Sequence, residues 1–200
     1  MRVDRKTQAA HRAAILKQAG RLFRRDGIGG VGVAEITRAA GLTHGAFYGH
    51  FASKTALAAE ACRRSLQDGA VLWRARAARA RAAGADPLAA IIDGYLTERH
   101  RDQPEDGCAL PALGPEIARA EPPLRAALDA GIGALAGVLE EEIAAHRPDL
   151  DPAAPARAAL AMLSALAGGL ILARACANDP ERSRAALQAA ATMARAAADA

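Results

Sequence analysis

Thr43, His44, Tyr48, His50 and Lys54 crowd hydroxyl, imidazole and ammonium groups into one short stretch, with Gly45 leaving a gap among them. These groups donate to phosphate oxygens and to the edges of bases. Gly45 carries no side chain, so another backbone can come close there. Signatures of covalent or metal chemistry are missing from the sequence. It has no GxSxG, no HExxH, no P-loop and no paired carboxylates tied to a site. The run Glu140-Glu141-Glu142 reads as a solvated face. His11, His44, His50, His100 and His146 show no metal-ligand spacing, so no metal and no cofactor are expected. Cys62, Cys108 and Cys176 form no CxxC and no evident disulfide framework. Gly27, Gly29 and Gly32 match GxGxxG by letter, but a helical pattern precedes them and no βαβ unit comes after. They read as an interhelical loop. An enzyme is not expected.

Charge is unevenly placed. Residues 1–54 hold ten Lys and Arg against three acidic residues, a net +7, while the whole chain of 200 residues carries only +4. A basic N-terminal quarter on a mildly acidic body suits a partner with a phosphate backbone, although a solvated basic face also explains it. The segment Met1-Arg2-Val3-Asp4 runs into charge and not into an apolar stretch, so no signal peptide is expected. The longest uncharged run, between Arg157 and Arg174, contains Ser164 and Gly168-Gly169 and reads as a buried helix, not a membrane span.

Helical periodicity positions the polar cluster. No convincing alternation of β-branched and aromatic residues is present, so the fold class is all-α, with about nine helices. Ile15, Leu16, Ala19, Leu22 and Phe23 make an apolar stripe on a helix over 7–26, ended by Gly27. A short helix over 33–40 buries Val33 and Ile36, Gly41 stops it, and Thr43 caps a second short helix over 44–49. Phe47 and Phe51 point inward, and Ser53 caps a long helix from 54 to about 83, with Gly69 as a place where it could bend. Further helices are expected over 88–101, 108–120, 122–146, 153–177 and 180–198, with a loop over 147–152. The domain break falls near 51–53, giving a head over 1–52 and a body over 53–200.

Two short helices joined through Gly41-Leu42-Thr43 are the pattern of a helix-turn-helix. Gly41 supplies a positive φ, Leu42 fills the angle, and Ile36 with Phe47 locks the inner faces. A helix of this size fits the DNA major groove; a purely structural αα-hairpin shares the same spacing.

Residues 33–54, and above all Gly45-Ala46-Phe47-Tyr48-x-His50-Phe51-x-Ser53-Lys54, resemble the DNA-binding region of TetR-family transcriptional regulators of the TetR/AcrR type. The motif spans about a quarter of the chain, and the order of the remaining helices suits the family. The resemblance implies an N-terminal three-helix DNA-binding domain and a C-terminal helical domain for ligand binding and dimerisation. It implies phosphate contacts from Thr43, Tyr48 and His50, and base-edge contacts near His44 and Gly45. Lys54 matches a lysine at the start of the fourth helix, where ammonium and helix N-terminus together favour phosphate. Thr43 is also explained as a cap alone and His50 as a helix-end hydrogen bonder. Two positions depart from the family pattern: Gly32 stands where Thr or Ser commonly caps, and His44 where Lys is frequent.

The same resemblance implies a pseudo-palindromic double-stranded operator, a homodimer, a small and mainly apolar effector, no membrane, and a cytoplasmic place of action, with repression as the family default. Trp73, Tyr95 and His100 are the effector candidates, with plain core as the alternative for Trp73 and Tyr95. Cys108, at a helix start after Gly107, is a fourth, either a reactive thiol or a small buried hydrophobe. Leu163, Gly169, Leu170 and Leu187 are expected at the dimer interface, with an internal core as the alternative.

Overall fold

The computed structural model describes residues 5–149 and 151–199. Met1 to Asp4, with Arg2 of the basic segment, lie outside the described residues, as does Leu150 of the loop over 147–152. The described residues are helical and contain no strand. The elements are α1 (Arg5–Gly30), α2 (Val33–Ala39), a 3-10 helix (His44–Gly49), α3 (Lys54–Ala82), α4 (Pro87–Tyr95) and α5 (Glu98–Asp102). A short 3-10 turn (Pro104–Asp106) precedes α6 (Ala109–Ile117), α7 (Pro122–His146), α8 (Ala154–Ala175) and α9 (Pro180–Asp199).

Two compact units result, and each is made of separate stretches of chain. The first comprises residues 1–65 and 104–130; the second comprises 66–103 and 131–200. In the first, α1 packs on α2, on α6 and on the 3-10 turn before it. Ile15, Ala19 and Phe23 of α1 are buried together with Ile36, Phe47, Phe51, Leu57 and Ile117, an apolar set drawn from the helices of the unit. Burying a Leu, Ile or Phe side chain contributes about 1.5–3 kcal/mol, so this set dominates the unit's stability.

In the second unit α8 packs along α9, α4 on α9, and α5 on α8. Small residues allow the approach. A Cβ on Gly169 would overlap the Cβ of Ala190, and one on Gly131 would overlap Leu66. Helix α8 is long and apolar enough to cross a membrane by length and composition alone. Its Met162, Leu163, Leu166 and Leu170 are instead buried within the unit.

Several local expectations hold, and some change. Gly41 has φ 71, and Ser53 Oγ accepts from Ala56 N at 3.0 Å. The helix expected over 88–101 is broken. Asp86 caps α4 through Leu88 N at 2.8 Å, and Thr97 starts α5 afresh by accepting from His100 N at 3.0 Å. Gly27 interrupts α1 where the sequence expects the helix to end. It takes φ 80 and ψ 160, and one further helical turn continues the chain to Gly30.

Candidate nucleic-acid interface

The turn of the helix-turn-helix is built as its glycine requires. Leu42 N donates to Thr37 O at 2.8 Å across Gly41, and Thr37 itself is buried, with its hydroxyl donating to Val33 O at 3.1 Å. The second short helix is of the 3-10 type over His44–Gly49. Thr43 caps it with its backbone carbonyl, which accepts from Ala46 N at 3.0 Å; the side chain makes no capping bond. This corrects the expectation of a side-chain cap and leaves the hydroxyl of an exposed residue available to a ligand.

Side chains of this segment divide cleanly. Phe47 and Phe51 are buried and stacked, centroids 5.8 Å apart, with the Arg12 guanidinium 4.8 Å from the centre of the Phe51 ring. Arg12 is held there by Glu60, Nη1 to Oε1 at 2.7 Å, and this bond raises its pKa. Thr43, His44, Gly45 and Tyr48 are exposed, Tyr48 at 65%. Tyr48 stands edge-on to both His44, at 5.6 Å, and Phe47, at 5.2 Å. Nothing lies within 4 Å of a Cβ built on Gly45. His50 is half-buried, its ring edge-on to His11 at 6.3 Å. Four of the six expected residues therefore share an open face on a rigid aromatic base.

Lys54 does something its motif did not reveal. Its Nζ donates to Val31 O at 2.8 Å, tying the start of α3 to the junction between α1 and α2. An ammonium has three donors, so this bond leaves capacity for a phosphate. Gly32 caps α2 through its carbonyl alone, accepting from Glu35 N and Ile36 N at 3.1 Å. The family's usual capping hydroxyl is absent there.

In the second unit Trp73, Tyr95 and His100 come together. Trp73 and Tyr95 are buried and edge-on at 5.5 Å, and Tyr95 and His100 are edge-on at 4.5 Å. His100 Nδ1 lies 2.8 Å from Tyr95 O, and a carbonyl can only accept, so Nδ1 carries the proton. Burial holds the His100 pKa below its usual value; Arg174 and Arg76 push it the same way, and the Tyr95 carbonyl opposes them. The Arg76 guanidinium packs over Gly94, where a Cβ would overlap it. A separate cavity of ≈ 290 Å³ is lined by Arg101, Arg174, Ser183 and Arg184. Its cations are engaged: Arg174 with the carbonyls of His100 and Arg101, Arg101 with Asp102, and Arg184 with Glu98.

Cys108 belongs to the first unit, at the N-terminus of α6, half-buried and without a side-chain capping bond. Its unit is not that of Trp73, Tyr95 and His100. The buried Cys62 thiol, also of the first unit, has its pKa pushed up to about 11, first by burial and then by the charge of Cys108, with Arg24 opposing.

The four residues expected at a dimer interface make contacts within the chain. Leu163, Leu170 and Leu187 are buried, and Gly169 is pressed against Ala190 of α9. Their apolar stripes lie along the seam between α8 and α9. Leu160, Ile171 and Leu172 of α8 and Met193 of α9 are the large apolar side chains these helices expose.

An all-helical chain that presents a polar helix-turn-helix face on a buried aromatic base is a DNA-binding regulator in design. Residues 15–61 match the model of "Bacterial regulatory proteins, tetR family", and residues 84–190 match that of "Tetracyclin repressor-like, C-terminal domain". The chain belongs to the TetR family of transcriptional regulators, which are DNA-binding proteins and not enzymes. No curated protein matches it by sequence. Solved structures share its fold. A TetR-family regulator from Cytophaga hutchinsonii superposes with TM-score 0.75 at 19% identity, covering 98% of this chain and 98% of that one. The reduced form of E. coli NemR gives TM-score 0.74 at 19% identity, covering 92% and 97%. A TetR regulator from Chloroflexus aurantiacus gives 0.70 at 25% identity, covering 94% and 95%.

Proposed function

We propose that this regulator is a repressor, acting in the cytoplasm as a homodimer on a pseudo-palindromic operator and released by a small, mainly apolar effector. The observation that carries the DNA assignment is the exposed set Thr43, His44, Gly45 and Tyr48 on the Phe47–Phe51 base. Thr43, Tyr48, His50 and Lys54 are assigned to phosphates, and His44 and Gly45 to base edges. The head is taken as residues 1–52 and the body as 53–200. Dimerisation falls to the exposed Leu160, Ile171, Leu172 and Met193, with Leu163, Gly169, Leu170 and Leu187 forming the seam that holds α8 and α9 in place beneath them.

The effector is assigned to the neighbourhood of Trp73, Tyr95 and His100, with Cys108 as a thiol that an electrophile could modify. The aromatic, largely buried character of that cluster supports an apolar ligand. Release demands that the effector bind the DNA-incompetent state more tightly than the competent one. A 100-fold loss of operator affinity corresponds to about 2.7 kcal/mol of coupling, within the range usual for allostery. Recovery of bound genomic fragments, followed by titration of small apolar compounds, tests the proposal. A compound that binds with the same affinity in the presence and absence of operator is not the inducer.

A further inference from the structure

The junction between α1 and α2 has little stiffness of its own: residues 27–32 include Gly27, Gly29, Gly30 and Gly32. Gly27 takes φ 80 and ψ 160, a conformation that breaks the helical ladder and that side chains disfavour. The turn after it begins with N–H groups that need acceptors from elsewhere. They find them on α6. Glu116 Oε2 accepts from Ile28 N at 2.9 Å, and Oε1 accepts from Gly29 N at 2.8 Å. One carboxylate thus takes two consecutive amides, with the charge strengthening both bonds.

The junction is tied at its other end too, by Lys54 Nζ on Val31 O. The same strap of chain, 104–117, grips the end of α1 twice more: Arg24 Nε donates to Glu105 O at 3.0 Å, and Arg21 pairs with Asp106. Beyond the junction the chain runs through α2 and Gly41 into the exposed turn at Thr43–Tyr48. The angle at which α2 leaves α1 therefore decides where that turn is presented.

We infer that Glu116 is a positioning residue for operator binding: its carboxylate fixes the junction Gly27–Gly29 and so the placement of the reading turn. It touches no DNA. The inference rests on the DNA assignment made for Thr43–Lys54. It separates Glu116 from a residue that only adds stability, because misplacing the turn harms the recognition of one sequence more than the general attraction to phosphates.

The test uses the full-length protein as Glu116→Gln and Glu116→Ala. Glutamine keeps one acceptor oxygen and loses the charge; alanine loses both. Operator affinity should fall roughly tenfold for Glu116→Gln, as expected for a charged hydrogen bond, and further for Glu116→Ala. The salt slope and the affinity for a scrambled duplex should stay at wild-type values, since no phosphate contact is removed. Operator affinities within about twofold of wild type in both variants overturn the inference, as does an equal loss on operator and scrambled duplex. Should the variants fail to fold, amide exchange in the wild type decides. Ile28 and Gly29 should be protected, and more so with operator bound; unchanged or lower protection in the complex overturns it. A wild type that does not distinguish operator from scrambled duplex sinks the DNA assignment itself. A discriminating wild type with indifferent variants sinks only the role of Glu116.

Discussion

The two compact units place their polar ties differently. The first is cross-tied by directional bonds from charged side chains to backbone: Glu116 to Ile28 and Gly29, Lys54 to Val31, Arg24 to Glu105. The second has such ties too, from Arg174 to the carbonyls of His100 and Arg101, and adds small residues that let helices close on one another, with Gly169 against Ala190 and Gly131 against Leu66. Its surface ion pairs, such as Arg74 with Glu141, are exposed and contribute little. Directional bonds fix angles, which a DNA-reading surface requires to a fraction of an ångström. Apolar helix packing is less directional.

The largest effect should come from removing the aromatic base of the first unit. Phe47→Ala deletes a fully buried ring and should cost about 3–5 kcal/mol, a loss that thermal denaturation and operator retention should both register. A variant as stable as wild type would mean that the reading turn is held by something other than its aromatic core. Next comes the seam of the second unit. Gly169→Val places a branched side chain against Ala190 and should cost about 1–3 kcal/mol, measured by denaturant titration. An unaffected variant would show that α8 and α9 slide apart at no cost. Operator contacts should come third in size. Lys54→Ala should weaken binding to every sequence and lower the salt slope by roughly 1 per subunit. His44→Ala should instead relax sequence preference, by about 1–3 kcal/mol at one base pair if His44 reads it directly.

These sites differ in how visible they are in the sequence. The helix-turn-helix was legible because its information is local: Gly41 marks the turn, and Ile36, Phe47 and Phe51 mark the inner face by spacing alone. Ser53 as a cap was legible for the same reason. Thr43 differs from its expectation in one respect, since the backbone carbonyl of a 3-10 start does the capping and the hydroxyl is not needed. The break at Leu96–Thr97 is hidden because Leu96, Thr97 and Glu98 are not helix breakers, while Gly94, the residue least suited to a helix, lies inside α4. Glu116 stands in a stretch, Gly107-Cys108-Ala109-Leu110 with Leu113, that resembles some C-terminal domains of the family, but what it touches could not be read from sequence. Its partners are backbone amides more than eighty residues away, and backbone groups leave no mark in composition. Leu163, Leu170 and Leu187 showed their apolar stripes plainly, but a stripe does not say whether it faces its own chain or another. Those residues are buried within this chain, while Leu160 and Met193 are exposed.

Smaller effects sharpen the contrast between the units. His100 in the second unit has a pKa lowered mainly by burial. The unfolded chain then takes up a proton at His100 that the folded chain resists, so stability is full above the ordinary value of 6.5 and falls as pH drops below it, until the lower folded pKa is reached. Replacing His100 with Gln should flatten that part of the stability–pH curve; an unchanged curve would remove His100 from the account. Cys108 of the first unit offers the smallest expected signal. If an electrophile acts there, a mild alkylating agent should release operator from wild type and not from Cys108→Ser. Equal release from both, or from neither, returns Cys108 to a packing role.

The claim on which everything else depends is that the turn Thr43–Tyr48 reads DNA sequence. The most direct test is to measure binding of the intact protein to a recovered operator and to a scrambled duplex of equal length and composition, across several salt concentrations, beside His44→Ala. The account predicts an operator preference of about 10³ or more at physiological salt, reduced in His44→Ala while the salt slope is kept. Equal affinity of the wild type for both duplexes, or a preference that His44→Ala and Tyr48→Ala leave intact, would contradict it.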